Sequence, residues 1–194
     1  MMTQTSIHNP DPLKKSRRSS FLLLALIGVV GLILLAVFYY GILHPPSQRV
    51  ESGLAPDFTV TTYDGDAFRL SEHRGKPIVL NFWASWCETC KDEQPILESA
   101  WQRHQNEILF FGLSHLDQDN NARKWLERYH VTYPNALDLG GKVYNAYHVQ
   151  GVPETFFIDA NGNVVSFYVG AIFNEAELES RIQQLLNASK SPQE

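Results

Sequence analysis

The feature that most constrains this chain is an uncharged run near its amino terminus. The run "FLLLALIGVVGLILLAVFYYGIL" spans 23 residues, from Phe21 to Leu43. As a helix rising ~1.5 Å per residue it measures roughly 35 Å, enough to cross a hydrocarbon core of ~30 Å. A cleaved signal peptide is the alternative, but its apolar core is usually only ~7–15 residues long and a small-residue cleavage site follows it. The end of the run and the residues after it, "FYYGILHPP", contain no such site, so the run predicts a retained transmembrane anchor.

The charges around this run predict its orientation. One basic residue, Arg49, closely follows the run, whereas four precede it: Lys14, Lys15, Arg17 and Arg18. Positively charged flanks of a membrane span stay in the cytoplasm. We therefore expect a single-pass membrane protein with a cytoplasmic amino terminus and an extracytoplasmic domain, in a periplasm or on the outer cell face.

Outside the span, composition divides the chain into three parts. They are a polar cytoplasmic tail over 1–20, a linker over 44–55 and one folded domain over 56–190. Beyond the span, 12 Lys and Arg stand against 20 Asp and Glu, a net charge of −8. Nucleic-acid binding needs clustered positive charge, so this acidic balance disfavours nucleic acid as a partner.

Hydrophobic patterns in the domain predict alternating strands and helices. The first half shows a hairpin over 58–70, a buried strand over 77–84, a helix over 87–105 and a buried strand over 108–116. The second half shows helices over 120–130 and 141–149, a hairpin over 155–170 and a closing helix over 174–188. This order implies an α/β fold of the thioredoxin type with an N-terminal β-hairpin extension. The stretch over 112–149 is long for one crossover, which predicts an inserted helix-strand segment.

The only two cysteines, Cys87 and Cys90, form a C-x-x-C pair in "WCETC". As a structural staple they would close almost no loop, and a zinc site would need two further ligands that the sequence does not offer. A peroxide-reducing thiol of the T-x-x-C kind would need threonine where Ala84 stands. A redox pair is the leading interpretation, with no metal and no cofactor expected.

The predicted position of this pair suggests its chemistry. Cys87 would lie at the amino terminus of a helix, where free N–H groups and the helix dipole stabilise a thiolate that attacks disulfides. Cys90 follows one turn later and could resolve the mixed disulfide. Glu93 is three residues further on, so it could either accept the proton of Cys90 or simply complement the helix dipole. From the residues alone the bond before Pro153 would be trans by default.

Three stretches resemble a known family. "APDFTV", "LSEHRGKPIVLNFWASWCETCKDEQP" and "YHVQGVPETFFIDANGNVV" are similar to the membrane-anchored thiol-disulfide oxidoreductases of the ResA, CcmG (DsbE) and TlpA group, and the last is most similar to the CcmG branch. The resemblance implies a thioredoxin fold and a reductant in an oxidising compartment. It further implies apocytochrome c as partner, whose C-x-x-C-H disulfide is reduced before haem attachment. A membrane thiol transporter of the CcdA/DsbD type would supply the electrons.

The resemblance also implies roles for residues around the pair. Cys87 and Cys90 match the redox disulfide, and Glu93 matches the active-site acid that accepts a proton. The substrate-binding residues that it implies are Trp86, Val152, Pro153 in the cis form and Glu154. Trp86 is the packing residue before the first cysteine, and the Val152 backbone would pair with an incoming peptide. Unlike the family pattern, "CETC" has no proline between the cysteines.

A thiol peroxidase stays an alternative that the missing threonine disfavours, and two other functions also remain open at this point. The first is a broader extracytoplasmic reductase of the TlpA kind, serving metal-site assembly or other disulfide-bearing polypeptides. The second is a binding or chaperone module whose cysteines have no redox role. That module would keep its function when Cys87 is replaced by alanine.

Overall fold

The computed structural model describes residues 16–43 and 49–190. Most of the predicted cytoplasmic tail (1–15), the start of the predicted linker (44–48) and the last four positions (191–194) lie outside the described residues. The two described parts belong to two separate compact units.

The first unit contains one long apolar helix, α1 (Ser16–Leu43). It begins before Phe21, so residues 16–20, which the sequence assigned to the tail, are helical. Its segment Ser20–Leu43 is long and apolar enough to cross a membrane. Its large side chains are apolar all round the helix and exposed, as expected for a helix that faces lipid.

The second unit is an α/β domain. Its described strands are β1 (Gly53–Leu54), β2 (Thr59–Thr61), β3 (Ala67–Arg69), β4 (Ile78–Trp83), β5 (Leu109–His115), β6 (Asn135–Asp138), β7 (Glu154–Ile158) and β8 (Asn163–Val169). Its described helices are α2 (Glu88–His104), α3 (Asp119–Arg128), α4 (Lys142–Ala146) and α5 (Glu175–Lys190). Six strands form one sheet in the order β1-β8-β7-β4-β5-β6, and β2 pairs with β3 in a separate hairpin.

The strand directions confirm the predicted thioredoxin-like fold. β4, β5 and β6 are parallel, while β7, β8 and β1 continue the sheet antiparallel on the other side of β4. All six residues of β4 are buried, which explains why five of them are apolar. The predicted insertion is also present, because α3 and β6 lie between β5 and α4 and β6 extends the sheet next to β5.

Helix α4 is shorter than the predicted helix over 141–149. Gly140 and Gly141 both have a positive φ, of 72° and 68°, which is incompatible with a right-handed helix. The regular helix therefore begins only at Lys142, and it ends before His148, whose φ is also positive, at 52°. Sequence periodicity could not show this, because it reports which face is apolar and not where the backbone turns.

The predicted boundary between linker and domain needs correction. The Val50 N–H donates to the carbonyl of Tyr147 at 3.4 Å, and Gly53–Leu54 pairs with β8. Ala55 is buried, and its N–H donates to the carbonyl of Gly162 at 2.9 Å. The folded domain therefore includes the chain from Arg49 and does not begin at Pro56. A two-residue strand is too short to leave a periodic pattern in the sequence.

The sheet has a hydrophobic core on each face. One core packs the β2–β3 hairpin, α4 and the following Tyr147 against alternate residues of the central strands, including Leu80, Phe82, Phe111 and Phe156. The other packs α2 and α5 against the opposite face, including Val79, Leu97, Phe110, Phe157 and Ile182. A third cluster lies at the carboxyl end of β4, where Trp83 and Trp125 surround the two cysteines.

We expect Gly112→Ala to destabilise the domain, because β5 has no room for a side chain there. A Cβ at Gly112 would lie 1.7 Å from Asn135 Oδ1 and 2.9 Å from Trp83 Nε1. These two atoms form a buried hydrogen bond of 2.8 Å. Overpacking of this kind costs about 1–3 kcal/mol of unfolding free energy, measurable by urea denaturation. Gly151→Ala is the control, since no atom lies within 4 Å of its Cβ position. Equal midpoints for the two variants would contradict the expectation.

Candidate active site

The cysteine pair lies at the start of α2, just after the carboxyl end of β4. After Trp83 the chain leaves the sheet, and the Cys87 N–H donates to the carbonyl of Ala84 at 3.1 Å. Cys87 has an extended backbone and is the N-cap of α2. Its Sγ accepts a hydrogen bond of 3.1 Å from the Cys90 N–H. This is the position that the sequence predicted for the pair, and the two sulfurs are joined as a disulfide.

The two cysteines differ in exposure. Cys87 is 7% exposed and Cys90 is 1% exposed, so Cys87 is the more accessible of the two. Cys87 Sγ also lies 3.6 Å from the hydroxyl of Thr89, one of the two residues between the cysteines, where the family pattern has a proline. Once the disulfide is reduced, the Cys90 N–H and the helix terminus favour a thiolate at Cys87. The geometry thus distinguishes a more accessible, hydrogen-bonded sulfur from an inner one.

Glu93 lies one turn beyond Cys90 and is 1% exposed. Its Oε1 accepts a hydrogen bond of 3.0 Å from Asn81 Nδ2, and its Oε2 accepts one of 3.0 Å from the Ile172 N–H. Burial raises the pKa of Glu93 to about 7, although these two hydrogen bonds act in the opposite direction. A carboxyl group with this pKa can exchange protons at neutral pH.

The loop opposite the cysteines places its backbone next to the reactive sulfur. The Val152–Pro153 peptide bond is cis, the isomer that the resemblance implies. The Val152 carbonyl oxygen lies 3.7 Å from Cys87 Sγ, and the Pro153 carbonyl accepts a hydrogen bond of 2.9 Å from the Gly170 N–H. Val152 is half-buried and Pro153 is buried. The loop thus brings main-chain atoms, and not a charged side chain, to the disulfide.

Trp86 does not pack in the interior as expected of a residue before the first cysteine. It is 58% exposed, and its indole N–H donates to the Leu116 carbonyl at 3.1 Å. The buried tryptophan of this region is Trp83, whose ring stacks on Trp125 with centroids 4.2 Å apart. Trp86 therefore offers an aromatic surface beside Cys87.

Glu154 also differs from its predicted place near the substrate. It is fully buried, and its carboxylate forms an ion pair with Arg49. Burial raises the pKa of Glu154, and the Arg49 guanidinium opposes this by favouring the charged form. The side chain therefore lies in the interior next to the Val152–Pro153 loop, where a substrate cannot reach it.

Several residues around the site were not predicted. Asn81 also donates to Thr155 Oγ1 at 3.0 Å, which connects β4, α2 and β7 below the disulfide. Its only sequence signal is that it interrupts the apolar run "PIVLNFWA". Asp117 accepts hydrogen bonds from the Ser85 N–H at 2.6 Å and the Ser85 hydroxyl at 2.7 Å, and so holds the turn before Trp86. No sequence pattern marks Asp117 for this role.

No three His, Cys, Asp or Glu side chains lie together as a metal site would require, within residues 16–43 and 49–190. The reactive groups of the site are the Cys87–Cys90 disulfide and the Glu93 carboxyl. Fold, disulfide and buried acid together define a thioredoxin-like thiol-disulfide oxidoreductase.

Comparison with known proteins agrees with this class. Residues 53–167 match the model of the AhpC/TSA family. The chain belongs to this family, among the thioredoxin-like oxidoreductases that include proteins named ResA and DsbE.

Individual relatives cover most of the chain. The thiol-disulfide oxidoreductase ResA of Geobacillus thermodenitrificans is 32% identical over 84% of this chain and 94% of its own length. The thiol:disulfide interchange protein DsbE of Pseudomonas fluorescens biotype C is 34% identical over 81% of this chain and 92% of its own. Among solved structures, a protein named as a DsbE from Chlorobium tepidum superposes with a TM-score of 0.67. It is 28% identical, and the match covers 72% of this chain and 99% of its own.

Glu93 should make the stability of the domain depend on pH. Its pKa rises from 4.5 in the unfolded chain to about 7 in the fold, so the fold favours the protonated acid. This stabilisation is complete below pH 4.5 and is lost as the pH rises towards 7. As the pH rises over this window, the wild type should lose about 3 kcal/mol of unfolding free energy relative to Glu93→Gln, which has no carboxyl group to titrate at this position.

Urea unfolding at a series of pH values measures this difference. Glu72→Gln is the control, because Glu72 is an exposed carboxylate away from the site. A difference between wild type and Glu93→Gln that stays constant from pH 4.5 to pH 8 would show that Glu93 does not titrate as described.

Proposed function

We propose that this protein is a membrane-anchored, extracytoplasmic reductant of protein disulfides, and that its substrate is the C-x-x-C-H disulfide of apocytochrome c. The observation that carries the reducing role is the unequal environment of the two sulfurs. Cys87 is at the helix terminus and reachable, while Cys90 is 1% exposed and one turn from a buried acid.

The reaction starts from the reduced dithiol. The Cys87 thiolate attacks one sulfur of the substrate disulfide, so a Cys87–substrate disulfide forms and the other substrate sulfur leaves as a thiolate. The N–H of Cys90 stabilises the attacking thiolate. Trp86 precedes Cys87 and is exposed, and the Val152 carbonyl lies 3.7 Å from the Cys87 sulfur. An extended peptide could pair with that backbone.

In the second step Cys90 resolves the mixed disulfide. Glu93 takes the Cys90 proton, and the Cys90 sulfur attacks Cys87. The substrate leaves as a dithiol, and the two electrons it gained have come from the protein, which ends as the Cys87–Cys90 disulfide of the structure. A carboxyl with a pKa of about 7 suits this task, because it is partly ionised at neutral pH.

The substrate and the electron donor rest on similarity. The stretch "GVPETF" and the relatives named DsbE and ResA support a place in cytochrome c assembly. The oxidised protein must be reduced again by a dithiol, for which a membrane thiol transporter of the CcdA/DsbD type is the proposed partner. Helix α1 supports the anchor, and the basic residues before it support a cytoplasmic amino terminus.

Replacement of Cys90 by serine should trap the substrate. Without the resolving sulfur, the mixed disulfide at Cys87 cannot be released, so Cys90→Ser should accumulate a covalent adduct in cells. Cys87→Ser is the matched control and should form none. Mass spectrometry of the adduct identifies the substrate. Apocytochrome c would support the proposal, whereas only other polypeptides would favour a broader reductase, and no adduct would contradict a reducing role.

Replacement of Glu93 by glutamine should slow the second step and leave the first unchanged. Without the carboxylate the Cys90 proton has no buried acceptor, and the loss should be about 10²-fold or more. Stopped-flow mixing of the reduced protein with a disulfide-bonded C-x-x-C-H peptide measures both steps. The wild-type rate of the second step should rise with pH around 7, and Glu93→Gln should lack this rise. Equal losses in both steps would show that Glu93 acts elsewhere.

Localisation can be tested on intact cells. A membrane-impermeant maleimide should label Cys87 after mild reduction in cells whose cytoplasmic membrane is closed. Labelling that requires lysis would place the domain inside and contradict the proposed topology.

A further inference from the structure

Arg49 and Glu154 form a buried ion pair next to the reactive loop. The guanidinium Nε contacts Glu154 Oε1, and Nη2 donates to Oε2 at 3.2 Å. The Arg49 side chain is 12% exposed and that of Glu154 is fully buried. The guanidinium also lies over the ring of Phe167, 4.9 Å from its centroid. The two-pronged contact with the carboxylate needs arginine, because lysine would present only a single point charge.

The Glu154 carboxylate connects both ends of the loop that faces Cys87. Glu154 directly follows Pro153, and its Oε2 also lies 3.5 Å from the Gln150 N–H. Between these ends, the Val152 carbonyl oxygen lies 3.7 Å from Cys87 Sγ. The position of that carbonyl therefore depends on a carboxylate, and the only cation paired with this carboxylate among the described residues is Arg49.

We infer that Arg49 is a positioning residue for the reaction, acting through Glu154 on the backbone of Val152. This deepens the proposed function and rests on it. Without Arg49 the buried carboxylate would be left unpaired, which is strongly unfavourable. The carboxylate would then have to become protonated, or the loop would have to move so that water can reach it. A polypeptide that pairs with the Val152 backbone would lose its docking geometry, whereas a small disulfide that needs only the Cys87 sulfur would not.

The test compares two substrates on full-length protein in detergent micelles. One is a disulfide-bonded C-x-x-C-H peptide, and the other is the small disulfide 4,4′-dithiodipyridine. Each protein is first reduced, and in a single turnover Arg49→Met should lower the second-order rate constant for the peptide by about tenfold, the size of an ordinary pairwise coupling. The rate constant for the small disulfide should stay within about twofold. Arg69→Met is the matched control, because it breaks an ion pair with Asp57 that is exposed. It should change neither rate.

A double variant separates charge from packing. Adding Glu154→Gln to Arg49→Met removes the unpaired charge, so peptide turnover should recover to within about threefold of wild type. Circular dichroism checks that each variant is folded. If Arg49→Met alone does not fold, Arg49→Lys replaces it, with a smaller loss expected because the charge remains without the two-pronged contact.

Three results would overturn the inference. They are equal losses for peptide and small disulfide, peptide turnover at the wild-type rate in folded Arg49→Met, and no recovery in the double variant. Failure of the proposed function would look different, because the wild type itself would not reduce the peptide. That result would remove the inference together with the function.

Discussion

The hydrogen bond from the Cys90 N–H to the sulfur of Cys87 is the interaction on which the site depends. It exists because β4 ends at Trp83 and α2 begins at Glu88, which makes Cys87 the cap of a helix. A sulfur in this place accepts a backbone N–H that would otherwise have no partner in the helix. The same turn keeps Cys90 buried, so one local geometry gives the two sulfurs different surroundings.

Two buried glutamate side chains support this geometry in different ways. Within the part of the chain that the structure describes, Glu93 has only neutral donors, the amide of Asn81 and the N–H of Ile172, so burial dominates and the group can hold or lose a proton. Glu154 has a guanidinium, so it is suited to remain charged and to fix a loop. The surroundings of each carboxyl, and not its residue type, therefore suit the first to proton transfer and the second to holding structure.

Much of the fold could be predicted from the sequence, because its central strands and amphipathic helices are long and regular. The C-x-x-C pair, the helix that follows it and the succession of strands and helices along the chain were all visible as patterns. Contacts between distant segments were not. Nothing in the sequence joins Arg49 to Glu154 across more than a hundred positions, and Asn81 is a single polar residue in an apolar run. The exposed place of Trp86 was missed because it depends on a carbonyl contributed by Leu116.

The early start of the domain has a practical consequence for anyone preparing it without its apolar helix. A fragment cut at Pro56, where the sequence alone would place the first folded residue, would lack β1 and the guanidinium that neutralises Glu154. It would leave the outer edge of β8 without its neighbour, and unpaired edges invite association between molecules. Low activity or aggregation of such a fragment would then result from the truncation and would not be a property of the full-length protein.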